Sequence, residues 1–237
     1  MSTDELNAQF DLLYSNNANV GPGLDAYDKS VFLTVAQDQV LNNYYTPKSN
    51  KNKEGFEGSE KRRRDLDALA TSGISSSPTQ TSANISPYSY FFSVEGEARY
   101  IINERVKVSS SETCLDNKIL NVTPTSHDEY NIQKSNPFKR PDKENAWRLD
   151  FSNNLVEIIG ASNYTPTEYH YRYIKSPSPI ILEDLPAGLS IKGISVETQC
   201  ELTPIAIDIL NRAVELALEV SSNPRLKTKI LMDSKDE

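Results

Sequence analysis

The chain has 237 residues and a formal charge of −8, with 37% hydrophobic and 24% charged residues. The apolar fraction lies below the globular norm of roughly 45–50% but above that of a fully disordered chain, and the length suffices for one large domain or two small ones. The acidic excess argues against a protein whose main task is to grip nucleic-acid phosphates.

The N-terminal residues 1–70 are predicted to be helical. Ser2 and Glu5 fit a capping box, in which each side chain satisfies a backbone N–H of the first helical turn, and apolar residues follow at helical spacing from Leu6. The sequence Gly21-Pro22-Gly23 then breaks the chain.

A second helix is predicted from Leu24 to Tyr44, with Pro47 ending it. Its apolar stripe includes Tyr27, Val31 and Val35. A polar loop follows at residues 48–55.

A third helix is expected from Glu57 to Ala70, centred on the charged run at residues 60–65. That run is typical of a solvated helix face with a pair such as Glu60 to Arg64, or of a contact with another protein. The alternative is a contact with phosphate or with an acidic partner.

Residues 71–86 are rich in Ser, Thr, Gly and Pro and are predicted to be a linker. Residues 87–200 then favour a β-rich domain with a charged, proline-containing loop at 124–145. The predicted strands lie at residues 88–94, 99–108, 113–122, 147–151, 156–159, 169–175 and 180–182. Helices, then strands, then a helix indicate the α+β class.

The C-terminal region 201–222 carries the clearest helix, from Ile205 to Val220, preceded by Thr203 as N-cap and by Pro204, and followed by a charged tail at 223–237. One apolar stripe contains Ile205, Ile209, Ala213, Leu216, Ala217 and Val220. Further apolar residues lie on other sides of the helix, namely Ile207, Leu210, Val214 and Leu218. Because a helix apolar around so much of its circumference is buried on more than one side, we expect the second side to face a neighbouring subunit.

The residues indicate no active site. His127 and His170 are isolated from other metal-ligating residues, Cys114 and Cys200 form no spaced motif, and no glycine-rich loop could cradle a phosphate, so we expect no catalytic site, no metal and no cofactor. Tyrosines at 169, 171 and 173 share one strand face. They could stack bases, but nearby cations are few, which favours a packed or inter-subunit face.

We expect no targeting signal. Its polar, acidic N-terminus lacks the features of a signal peptide, and no apolar run approaches the roughly 18–20 residues that cross a bilayer. Two distant cysteines favour a reducing compartment. We expect a soluble chain without direct membrane association.

Several stretches, in this order, resemble a virion structural protein of the crAss-like tailed bacteriophages, a group with ring proteins that stack below the portal. They are residues 10–14, 23–34, 56–66, 136–141, 146–150, 173–182, 200–202 and 212–217. The last helix is also similar to the terminal helix of many phage head–tail adaptor proteins.

This resemblance implies a non-enzymatic ring protein of the head–tail connector, expected to form a dodecamer. It would connect the portal protein to the tail and extend the channel through which double-stranded DNA is packaged and ejected, without sequence-specific binding. It would be assembled in the bacterial host cytoplasm. The rival interpretations are a tail-fibre-docking or decoration protein, and a virion-packaged enzyme.

Two helices are the expected ring-forming contacts, through Tyr27, Val31 and Val35 on one and through Leu210, Val214 and Leu218 on the other. The loop at 136–143 is expected to reach an adjacent ring through Phe138, since prolines stiffen a protruding loop. Twelve copies would carry a charge of about −96, and an acidic lumen would repel DNA phosphates.

Overall fold

The computed structural model describes residues 1–18, 23–45 and 60–220. The chain divides into two compact units, a helical unit of Met1–Leu69 with Pro177–Glu237 and a sheet unit of Ala70–Ser176. Across the described ranges, no helix has the length and apolarity needed to cross a membrane. Residues 21 and 22 of the predicted chain break, the predicted loop at 48–55 and the predicted charged tail at 223–237 lie outside these ranges.

The helical unit is built from four α-helices and two short 3₁₀ turns within the described residues. These are α1 (Thr3–Ala18), α2 (Ala26–Tyr45), α3 (Glu60–Asp65), the turns Asp67–Leu69 and Thr203–Ile205, and α5 (Ala206–Val220). Helix α5 packs against both α1 and α2. The fully buried side chains include Leu6, Phe10, Leu33, Leu41, Leu66, Ile209 and Ala213.

The predicted N-terminal capping box is confirmed. Ser2 N donates to Glu5 Oε2 over 3.1 Å, and Glu5 N donates to Ser2 Oγ over 3.2 Å. The following helix is tied to α2 through Lys29, whose buried Nζ lies 2.7 Å from Asp11 Oδ1 and donates to Asn7 Oδ1 over 2.9 Å. The first helix therefore starts and docks through short polar contacts that its sequence encodes.

An extended segment, residues 178–182, lies along α2. Its backbone N–H groups at Ile180 and Leu182 donate to the hydroxyls of Thr34 and Ser30 over 3.2 and 3.0 Å. These hydroxyls accept the hydrogen bonds that a neighbouring strand would otherwise accept. The predicted strand at 180–182 therefore lies against a helix, and its one β-bridge joins Ile181 to Thr198. For this reason residues 177–200 belong to the helical unit, in contrast to the predicted β-rich domain of 87–200.

The sheet unit contains one seven-stranded sheet of order β1-β7-β3-β4-β5-β6-β2. The strands are β1 (Ala70–Ser75), β2 (Ser89–Ser93), β3 (Ala98–Ser109), β4 (Ile119–Pro124), β5 (Asn145–Asp150), β6 (Leu155–Ile159) and β7 (Thr165–Lys175). All pairs are antiparallel except β4 with β5. The sheet curls, because Thr79, which follows edge strand β1, forms a bridge with Phe91 of the opposite edge strand β2.

Two segments of the sheet unit differ from their predictions. The predicted linker at 71–86 begins inside β1, which pairs with β7. The glycine in this segment has a packing reason: a Cβ on Gly73 would lie 2.4 Å from Cζ of the Tyr171 ring, so only glycine lets the two strands approach. The third predicted strand, 113–122, is a strand only from Ile119, since the preceding residues form turns.

The predicted loop at 124–145 contains a helix, α4 (His127–Lys134), capped by Ser126. Strands β4 and β5 pair in parallel, and parallel neighbours require a crossover connection, which α4 supplies. The helix packs through Tyr130, whose ring meets Trp147 of β5 edge to face at 6.0 Å. The α+β class, with N-terminal helices, a β-rich middle and a C-terminal helix, is confirmed.

Candidate assembly surfaces

The first predicted assembly surface lies on α2. Residues 27, 31 and 35 follow one another at intervals of four, which places them on one helix face. Tyr27 and Val31 are half-buried, and Val35 is 42% exposed. This stripe, which we call the α2 stripe, is accessible to a second chain.

The second predicted surface, on α5, is closed. Leu210, Val214 and Leu218 are each at most 1% exposed in the single chain. Their cover comes from the chain itself, because α5 lies between α1 and α2. The side chains that α5 exposes are different ones, with Ile207 62% exposed near its start. The apolar circumference of this helix therefore reflects intramolecular packing, and these three residues are not available to a neighbour in this conformation.

The third predicted surface is the loop at residues 136–143, which we call the aromatic–basic loop. Phe138 is 96% exposed, and Lys139 and Arg140 beside it are also exposed. An aromatic side chain so fully in water gains nothing from the fold that presents it. It is the most accessible of the predicted contact residues.

A family model described as phage tail ring protein 3/4 matches residues 1–229 of the chain. The chain belongs to this family. Two similar proteins come from Bacteroides phage crAss001. Ring protein 4/5 is 36% identical over 229 residues, with 92% of each chain covered, and Ring protein 3 is 37% identical over 222 residues, with 92% of this chain and 95% of the relative covered.

Family membership confirms the resemblance that the sequence suggested and supports a structural role in a ring of a phage tail. In a ring, every subunit presents two different surfaces, one to each neighbour. The α2 stripe and the aromatic–basic loop are the accessible candidates among the residues named from sequence.

A buried charge network lies inside the sheet unit of this ring protein, and sequence reasoning missed it. Arg148 of β5 places Nη1 2.6 Å from Glu104 Oε1 of β3, and Tyr169 of β7 donates its hydroxyl to Glu104 Oε2 over 2.7 Å. Arg148 Nε also lies 2.9 Å from Oδ1 of the exposed Asp150. The signal that could have revealed it is a single arginine within the apolar run of residues 146–149.

Burial governs the electrostatics of this network. Desolvation raises the pKa of the Glu104 carboxyl, while Arg148 and the Tyr169 hydroxyl act in the opposite direction. Desolvation likewise raises the pKa of the Tyr169 hydroxyl, with the neighbouring Glu104 carboxylate adding to the shift. The network joins three strands, β3, β5 and β7, from within the core.

The remaining candidate chemical residues are dispersed. His127 Nε2 lies 2.9 Å from the carbonyl of Asp150, and His170 Nε2 lies 3.2 Å from Glu168 Oε2. Cys114 is exposed in a turn, whereas the sequence predicted a strand there, and Cys200 is buried. In the described part of the chain, no group of three or more His, Cys, Asp or Glu residues could hold a metal ion.

The tyrosine face of β7 is a packed face, as favoured from the sequence. Tyr169, Tyr171 and Tyr173 are buried in the sheet core, and the first two rings stack with centroids 5.1 Å apart. Stacked and buried in this way, these rings are not available to nucleic-acid bases.

Proposed function

We propose that the chain is the subunit of a dodecameric, non-enzymatic ring at the portal–tail junction, where it connects the portal to the tail and extends the DNA channel. The observation that carries the proposal is the match of the phage tail ring protein 3/4 model across residues 1–229. The relatives named Ring protein 4/5 and Ring protein 3 each cover 92% of the chain. Similarity to two different rings of one phage favours a role in a stack of related rings.

The α2 stripe is our candidate for a contact between neighbours in this ring. Its residues Tyr27, Val31 and Val35 present apolar area on the outer side of a helix whose inner side is already packed, with Leu33, Ala36 and Leu41 fully buried. Removing such area from water stabilises an interface by roughly 25 cal/mol per Å² before the costs of association are subtracted.

The net charge supports a channel more than a DNA-binding site. At −8 per chain, a dodecamer would carry about −96 before neutralisation, and an acidic lumen would keep DNA phosphates from adhering as the genome passes. An electrostatic map of the assembled ring that showed a strongly basic lumen would contradict this part of the proposal.

The test is imaging and native mass measurement of the purified chain, alone and with the portal protein of the same phage. We expect a closed ring of twelve copies bound coaxially to the portal. A monomer that neither closes into a ring nor binds the portal would contradict the proposal, and binding at the fibres or on the capsid would support the rival docking or decoration role.

A matched pair of variants tests the α2 stripe in the same assay. Val35→Asp places a charge in the proposed contact, and we expect it to reduce the fraction of chains in rings. Leu12→Asp is the control, because Leu12 is also exposed in the helical unit but lies on α1, outside the stripe. Equal loss of rings in both variants would argue against a contact at the stripe.

A further inference from the structure

The backbone of the aromatic–basic loop is hydrogen-bonded around Asn136. Phe138 N donates to Asn136 Oδ1 over 3.0 Å, and Lys139 N and Arg140 N both donate to the Asn136 carbonyl over 3.1 Å. Pro137 and Pro141 restrict the flanking backbone dihedrals. A loop whose backbone is restricted in this way loses little backbone entropy when it binds a partner.

The side chains that this loop presents are exposed and lack polar partners among the described residues. Phe138 is 96% exposed. Within residues 1–18, 23–45 and 60–220, the side chains of Lys139 and Arg140 form no hydrogen bond or ion pair. The next cation along, Lys143, differs because its Nζ lies 2.8 Å from Glu112 Oε2. The loop thus offers an aromatic ring flanked by two free positive charges in a chain whose net charge is −8.

Complementary chemistry lies on another part of the same chain. Residues 183–198, which we call the acidic lobe, fold back on themselves through the hydrogen bond from Leu185 N to the Ser195 carbonyl, at 2.8 Å. The lobe exposes the carboxylates of Glu183 and Asp184, and its Val196 is 60% exposed.

The one cation of the lobe is already neutralised. Lys192 Nζ lies 2.8 Å from Asp38 Oδ2 of α2. The acidic lobe therefore keeps a net negative charge around exposed apolar side chains. The aromatic–basic loop also exposes an apolar side chain, but the charge beside it is positive.

We propose that the aromatic–basic loop of one copy docks on the acidic lobe of a second copy, with Phe138 against the apolar side chains and Lys139 and Arg140 against the carboxylates. This contact rests on the proposed ring function and specifies one of its interfaces. The two surfaces differ from each other, which is the requirement for a head-to-tail contact that closes a ring. Aromatic and arginine side chains are also the residues that most often dominate interface energies.

Nucleic acid is the weaker occupant for this loop. The loop contributes only two such cations, which neutralise few phosphates, and the chain as a whole carries a charge of −8. The acidic lobe supplies both the opposite charge and an apolar surface for the ring of Phe138, which a phosphate backbone does not.

A charge-swap experiment on the full chain tests the contact. Lys139→Glu with Arg140→Glu should raise the concentration at which half of the chains assemble by about tenfold or more, as measured by sedimentation velocity and native mass. Glu183→Lys with Asp184→Lys should have a similar effect. Combining all four substitutions in one chain should restore assembly, because the new carboxylates of the loop then face the new ammonium groups of the acidic lobe.

The matched control is Lys61→Glu with Arg63→Glu. Both side chains are exposed cations on α3, outside the proposed contact, so assembly should be unchanged. Circular dichroism and the fluorescence of Trp147, the single tryptophan, check that each variant is folded.

The outcomes separate this contact from the ring proposal itself. If wild-type rings form and the loop variant assembles equally well, the contact is wrong while the ring stands. If the loop variant assembles normally but loses affinity for a double-stranded DNA probe, the loop faces the channel instead. If the four substitutions fail to restore assembly, the acidic lobe is the wrong occupant. A wild-type chain that stays monomeric, with or without portal, would contradict the ring and the contact together.

Discussion

The two units of this ring protein are stabilised by different means. The helical unit buries an apolar helix, α5, against α1 and α2, and the buried hydroxyls of Ser30 and Thr34 accept the backbone N–H groups of the segment 178–182. The sheet unit places a charged pair, Glu104 and Arg148, and a row of tyrosines inside a curled sheet. Both units bury polar groups, but Glu104 and Arg148 are an ion pair with both members buried, and such a pair is stable only while each member keeps its partner.

This difference bears on assembly. The sequence assigned apolar residues of α5 to a contact with a neighbouring subunit. Those residues are buried inside the helical unit, so a contact between subunits must use other, exposed residues. The aromatic–basic loop, which belongs to the sheet unit, and the α2 stripe and acidic lobe, which belong to the helical unit, are accessible to other copies. Each unit therefore exposes a candidate contact surface, while the apolar residues of its core are covered by its own chain.

The largest expected effect is a charge in the helical core. Val214→Asp places a carboxylate at a site with 0% exposure, and we expect it to cost about 4–5 kcal/mol of unfolding free energy because nothing there can pair with it. Urea unfolding of the monomeric chain, followed by circular dichroism at 222 nm, measures the loss. The fluorescence of Trp147 in β5 should shift less, since that residue belongs to the sheet unit.

The control for this variant is Ile207→Asp on the same helix. Ile207 is largely exposed, so its substitution should change the unfolding free energy by no more than about 0.5 kcal/mol. If Val214→Asp were tolerated equally well, α5 would not be enclosed by α1 and α2, and the original expectation of a subunit-facing side would return.

The second largest effect is expected from breaking the buried pair of the sheet unit. Arg148→Met leaves Glu104 buried with only the Tyr169 hydroxyl as donor, which should cost about 3–5 kcal/mol. The transition monitored through Trp147 fluorescence in urea should move to lower denaturant. Adding Glu104→Leu should recover much of the loss, because an apolar pair needs no compensation. A double variant no more stable than Arg148→Met would show that the charge network does not act as a pair.

The sequence predicted what depends on local pattern. The capping box at Ser2 and Glu5, and the helical periodicity of α2 and α5, are properties of neighbouring residues, and these elements were placed within a few positions. Phe138 could be named because a polar loop bounded by prolines leaves an aromatic residue few ways to be buried.

What the sequence could not show depends on residues far along the chain. Gly73 was taken as part of a linker, yet its role is set by the ring of Tyr171 across a strand pair. The burial of Leu210 is set by α1 and α2, because periodicity reports that a helix side is apolar without identifying what covers it. Arg148 gave a local signal, but its partner Glu104 is determined by the order of strands in the sheet.

The smallest expected effect concerns pH and separates burial from pairing in the network of the sheet unit. Burial raises the pKa of Glu104 above the ordinary glutamate value of 4.5, against the pull of Arg148. The folded state then holds this proton more tightly than the unfolded state, so stability from this group is fully present at low pH. It is lost as pH rises from about 4.5 through the raised folded pKa.

Comparison with Glu104→Gln isolates this contribution, because the amide does not titrate and still accepts from Tyr169. The lowered pKa values of Glu112, beside Lys143, and of Glu168, beside Lys107, act with the opposite sign but are common to both proteins. The free energy of unfolding of each protein is measured by urea titration, followed through Trp147 fluorescence, from pH 4 to 8. The wild-type value should decline relative to the value of the variant as pH rises. If the wild-type free energy of unfolding instead rose relative to that of the variant as pH rises, attraction to Arg148 would outweigh burial in setting the pKa of Glu104. The buried pair would then stabilise the curled sheet through its charge, whereas the packing of α5 against α1 and α2 rests on apolar side chains.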